Sequence, residues 1–110
     1  MPSYRHKPRV PLNVLLNKVL GESLFMCHAS DISEDGIFLS KLLEPRYRGK
    51  EVGLEFALPG NGEIIWARGE IVREGRRRRS EGSAIKFTIL PEGFRRLIKK
   101  YIERYELAAA

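Results

Sequence analysis

Cysteine is almost missing from this chain. The single Cys27 among 110 residues cannot form an internal disulfide. That excludes the crosslinked frameworks by which small secreted domains offset a small core, and it fits a reducing, cytoplasmic setting. Long apolar runs are missing too. The stretch from Val10 to Leu20 is interrupted by Pro11, Asn13, Asn17 and Lys18, and no run reaches the roughly 18 apolar residues of a spanning helix. No small-residue cleavage site follows it, so neither a signal peptide nor a transmembrane segment is expected. His6, Cys27 and His28 are the soft-metal candidates, and they match no ligand spacing. No metal and no cofactor are therefore expected. Catalytic constellations are absent as well. The chain shows no nucleophile beside a base, no glycine-rich phosphate loop ending in Lys-Ser or Lys-Thr, and no carboxylate pair on apolar ground; Glu34 and Asp35 stand in a polar turn. An enzyme is not expected.

What is present is enough for one core. Apolar residues make up 43% and charged residues 31%, a globular balance. At 110 residues, a single domain over 1–110 is the expectation, because two would each be too small. The formal net charge of +6 favours anionic partners without choosing among nucleic acid, nucleotides, acidic proteins and anionic lipid.

Hydrophobic periodicity sets the architecture. Residues 1–9 carry basic side chains and two prolines without periodicity, which reads as a mobile arm. Val10, Leu12, Val14 and Leu16 alternate with period two, Gly21-Glu22 can turn the chain, and Leu24 to Ala29 is a second apolar stretch, a first hairpin. Asp31 to Gly36 is rich in turn formers and precedes Ile37-Phe38-Leu39. Val52, Leu54, Phe56 and Leu58 alternate cleanly, Pro59 to Gly62 makes a turn, and a long strand is expected from Ile64 to Glu74. Beyond it a tip of arginines leads to a last strand from Ala84 to Ile89. The period then changes: Phe94, Leu97, Ile98, Tyr101, Ile102 and Tyr105 form one stripe of an α-helix. These elements predict a mainly β chain: a small six-stranded antiparallel β-barrel over 10–90, with a C-terminal α-helix over 91–107 that covers an opening.

Two short motifs bear on function. Arg5-His6-Lys7-Pro8-Arg9 has an R-x-x-x-R spacing before the first strand, and Asp31-Ile32-Ser33-Glu34-Asp35-Gly36 has a D-x-S-x-x-G spacing between the second and third strands. Together with the glycine-led strand from Gly82 to Phe87, they resemble the two-part signature of the PilZ family over the chain up to the terminal helix. The resemblance implies a non-enzymatic receptor for cyclic di-GMP. Arg5, Arg9, Asp31, Ser33 and Gly36 would be its ligand-binding residues and an unidentified effector protein its partner. Tyr4 departs from the second basic residue that many relatives carry.

The residue types suit that ligand. A guanidinium can bond guanine O6 and N7 together, stack on a base, or grip a phosphate with two N–H groups. An Asp31 carboxylate accepts from guanine N1–H and N2–H, and Ser33 can donate or accept. Gly36 would supply either a backbone angle closed to other residues or close approach of the chain to the base. The alternatives come from other classes. One is a basic small barrel that binds single-stranded nucleic acid through Trp66, Phe56 or Tyr47 and the arginine run 76–79; the other is a PilZ-like interaction module that does not bind the dinucleotide. No stable nucleic-acid complex is expected, since no exposed aromatic platform is evident. Trp66 is expected to be buried, and the basic face of the terminal helix reads as ordinary amphipathicity.

Overall fold

The structure is a computed structural model that describes residues 7–40, 49–77 and 80–109, without the side chains of 73–77 and 80–81. Six strands, β1 (Val10–Leu20), β2 (Ser23–Ile32), β3 (Gly36–Ser40), β4 (Glu51–Phe56), β5 (Ile65–Arg77) and β6 (Ser80–Ile89), precede one helix, α1 (Glu92–Ala109). The strands form a closed barrel in the order β1-β2-β3-β6-β5-β4, every neighbour antiparallel.

Alternation explains the closure. Leu16 and Leu20 of β1, Cys27 and Ala29 of β2, and Val52 and Leu54 of β4 are all buried inside the barrel, while their sequence neighbours point outward. β1 meets β4 through Asn17↔Glu55, Lys18↔Leu54 and Val19↔Gly53, which removes the free sheet edges. One irregularity adjusts β1. Its register shifts between Pro11 and Val14, where Asn13 takes a left-handed φ of 53° and its Oδ1 lies 2.6 Å from His28 Nε2.

Helix α1 begins after Pro91, whose carbonyl accepts the N–H groups of Phe94 and Arg95, each at 3.0 Å. Its apolar stripe closes one end of the barrel: Ile98 and Ile102 are buried in the core, with Phe94, Leu97 and Tyr101 packed against it. Burial of each isoleucine contributes about 1.5–3 kcal/mol. The Tyr101 hydroxyl donates to the Pro11 carbonyl at 2.8 Å and ties the helix to the start of β1.

Three sequence expectations change. The hexapeptide Asp31 to Gly36 is not all loop, because Asp31 and Ile32 end β2, opposite Phe38 and Ile37 of β3, and Ile32 belongs to the core. β5 runs three residues beyond the expected Glu74 because β6 continues alongside it to the Arg77↔Ser80 pair. Trp66 is not buried. It is 48% exposed, because Ile65 and Ala67 take the inward positions of β5, and its ring meets Phe94 edge to face with centroids 6.0 Å apart. Of the aromatics that an alternative nucleic-acid surface would use, Phe56 lies in the core, and Tyr47 lies outside the described residues. No helix among the described residues is long and apolar enough to cross a membrane.

Candidate functional site

The turn between β2 and β3 is held from three sides. The Ser33 N–H donates to the Gly36 carbonyl at 2.9 Å, closing the turn on itself. Ser33 Oγ accepts the Asp35 N–H at 3.2 Å, the local side-chain turn that serine favours. The Asp35 carbonyl accepts the Phe87 N–H of β6 at 2.8 Å, and Arg95 Nη1 of α1 donates to the Glu34 carbonyl at 3.0 Å. A turn with its backbone groups so engaged presents its side chains in one arrangement.

Onto this turn folds Arg9. Its Nη2 lies 2.7 Å from Asp31 Oδ1, its Nε donates to the same oxygen at 2.8 Å, and its Nη1 reaches Ser33 Oγ at 3.4 Å. Residues 22 and 24 positions apart in sequence thus form one cluster. The ion pair is partly open to solvent, with side-chain exposures of 36% and 21%, and contributes about 0–1 kcal/mol to stability. Its stronger consequence is placement: the last arginine of the arm is docked, and it lies over a buried Ser33. Arg5, the other arginine of the spacing, lies outside the described residues, as does His6 of the soft-metal set. Among the described residues no group of three or more metal-ligating side chains occurs.

Gly36 proves to be a packing glycine. An added Cβ would come 2.3 Å from the Ile85 carbonyl oxygen of β6, and Gly36 is not among the glycines of positive φ. The close approach is therefore between strands β3 and β6. Gly36 faces Lys86 in the β3–β6 register, and Lys86 is exposed between the buried Ile85 and Phe87. Asp31, Phe38, Gly36 and Lys86 share the outer face by that register. Phe38 sits over Gly82, whose added Cβ would meet its ring at 2.5 Å.

Sequence reasoning missed two contacts that hold the turn. Arg95 is indistinguishable from the other basic residues of α1, and Phe87 acts through its backbone; neither leaves a mark in local sequence.

The comparisons with known proteins bear on the family and the fold. The family model for the PilZ domain matches residues 3–104. The chain belongs to the PilZ family. A search of curated proteins gives no match. Among solved structures, this PilZ domain resembles the Bacillus subtilis inhibitor of motility MotI/DgrA, with a TM-score of 0.84, 15% identity, and coverage of 97% of this chain and 53% of that one. It also resembles the PilZ domain of CeSA from a cellulose-synthesizing bacterium, with a TM-score of 0.66, 16% identity, and coverage of 90% and 98%. Escherichia coli YcgR in complex with c-di-GMP gives a TM-score of 0.66, 14% identity, and coverage of 96% and 47%. At these identities the likeness is one of fold. The PilZ chain spans about half the length of MotI and YcgR.

Proposed function

We propose that this PilZ domain is a receptor for cyclic di-GMP, bound by Arg5, Arg9, Asp31, Ser33 and Gly36, and that it signals to a partner protein by rearranging its N-terminal arm. The observation that carries the reading is the contact of Arg9 with both Asp31 and Ser33, which joins the two motif halves at one place. The PilZ family match and the c-di-GMP complex of the structurally similar YcgR support it.

The chemistry follows from the groups present. Asp31 offers a carboxylate to the guanine N1–H and N2–H edge, while arginine donors serve the O6/N7 edge and the phosphates. Arg9 and Asp31 offset each other in charge, so a ligand with two phosphodiester charges needs further cations. Arg5 on the arm and Lys86 on the same outer face as Asp31 supply them. Because Arg9 covers Ser33, ligand entry shifts Arg9 from its docked position and thereby moves the arm. Fixing the arm costs about 1–2 kcal/mol per residue in backbone entropy, which charge-assisted bonds and base stacking must exceed. The domain acts by binding, without catalysis.

Isothermal titration calorimetry with cyclic di-GMP tests this. The wild type is expected to bind, and Arg9→Ala to bind at least about tenfold more weakly, a loss of about 1.4 kcal/mol or more. Absence of heat with the wild type, while a single-stranded oligonucleotide binds, refutes the reading.

A further inference from the structure

The motif turn is tied to the first turn of α1 by Arg95. A different feature lies toward the other end of the same helix. Between the 58–61 turn and the later turns of α1 is a cleft of about 390 Å3, at the lower end of the range for binding pockets. Leu58 and Leu97 are its aliphatic lining and Tyr101 and Tyr105 its aromatic lining. Lys100 and Arg104 are its only charged groups among the described lining residues. The helical period brings these together, since Leu97, Tyr101 and Tyr105 recur every fourth residue and Lys100 and Arg104 flank them at the same interval.

Two properties distinguish this cleft from a chance concavity. Its walls are pre-formed. The Asn61 N–H donates to the Leu58 carbonyl at 3.1 Å, Asn61 Oδ1 accepts the Glu63 N–H at 2.7 Å, and Gly60 holds a left-handed φ of 79°. Opposite them the Tyr101 hydroxyl is anchored on the Pro11 carbonyl, and the Tyr105 ring lies 6.4 Å from that of Tyr101. An occupant therefore meets ordered groups and loses little to their reorganisation. The second property is charge. Lys100 and Arg104 lie at i, i+4 spacing and repel each other, the described lining residues include no carboxylate, and Glu103, one turn from Lys100, lines a neighbouring groove instead, so an anionic occupant is favoured.

We propose that this cleft docks a partner-protein segment carrying an aromatic or large aliphatic side chain flanked by carboxylates. The apolar side chain enters between Leu58 and the tyrosine rings, and the carboxylates meet Lys100 and Arg104. Tyrosine and arginine are the residue types that concentrate binding energy at protein interfaces. A nucleic acid would instead require a broad row of phosphate contacts, which two cations at one concavity do not provide. The site is separate from the motif cluster and stands whether or not the chain binds a dinucleotide.

The test is selection of a random dodecapeptide phage library on the full chain, followed by fluorescence anisotropy with the synthetic peptide of the top clone. Enriched peptides should pair at least one Phe, Tyr, Trp or Leu with Asp or Glu. The Lys100→Glu, Arg104→Glu double variant and Tyr105→Ala should each weaken the peptide by at least about tenfold. The charge-matched control Arg96→Glu, Lys99→Glu changes exposed cations of the same helix and should leave affinity within about twofold. Circular dichroism melting confirms that each variant is folded. No enrichment, or equal loss in the control, overturns the proposal. So do selected peptides without acidic residues. An oligothymidylate that binds and is lost in the Lys100→Glu, Arg104→Glu variant, with no peptide selected, assigns the cleft to nucleic acid instead. A dimer in gel filtration that Tyr105→Ala dissociates assigns it to a second copy, which also overturns the proposal.

Discussion

A glycine and a tryptophan show how much a single position can carry. Gly36 was legible as a motif residue, but its reason was not. The structure places an added Cβ 2.3 Å from a backbone oxygen of β6, a neighbour that cannot step aside as a flexible side chain would. Gly36→Ala is therefore expected to destabilise the domain by about 1–3 kcal/mol, read by thermal or urea denaturation. Gly62→Ala, where an added Cβ meets nothing within 4 Å, should shift the curve little. The strand packing can thus be separated from any ligand contact: a ligand-only role for Gly36 would leave the melting curve unmoved. Trp66 is exposed where its size and apolarity predict burial, although the sequence carries the signal. Trp66, Arg68 and Glu70 have one parity along β5, and Ile65 and Ala67 have the other. The charged neighbours mark the wet face, on which Trp66 lies opposite Glu55 of β4 and meets the Phe94 ring edge to face. Size and apolarity alone misled; parity decides.

At the scale of the element, α1 does more than plug the barrel. Its first turn grips the motif turn through Arg95, its middle holds β1 through Tyr101, and its later turns line the cleft. Loss of the Tyr101 hydroxyl in Tyr101→Phe is expected to cost about 0.5–1.5 kcal/mol, plus the penalty of an unpaired Pro11 carbonyl wherever water does not replace it. The pH dependence has a definite sign. Burial raises the Tyr101 pKa above its ordinary value of 10.0, and the neighbouring Tyr105 adds to the shift. The folded state thus holds this proton more tightly than the unfolded chain does. The associated stability is fully present below pH 10 and is lost as pH rises through the folded value. Urea titrations from neutral to strongly alkaline pH should show that loss in the wild type and a shallower one in Tyr101→Phe. The helix was readable from its period, whereas its attachments were not, because Arg95 and Tyr101 meet partners 61 and 90 residues away in sequence.

For the whole molecule, binding and stability are linked. If cyclic di-GMP binds the folded domain alone, a concentration 100-fold above Kd should stabilise it by about 2.7 kcal/mol. Differential scanning fluorimetry would show this as an upward shift in Tm. The shift should shrink in Arg9→Ala and with added salt, which screens charged contacts at the exposed face. An unchanged Tm at saturating dinucleotide counts against the receptor reading at this scale, independently of calorimetry. The barrel class, the terminal helix and the identity of the motif residues were determined by sequence alone. Period two, period 3.6 and turn chemistry are local properties that each segment carries with it. Only the tertiary structure decided which side chains meet: Arg9 over Ser33, Gly36 against Ile85, and a basic aromatic cleft beside the 58–61 turn. Those outcomes depend on strand register, barrel closure and the seating of α1, which sum over contacts distant in sequence and leave no trace in any one stretch of it.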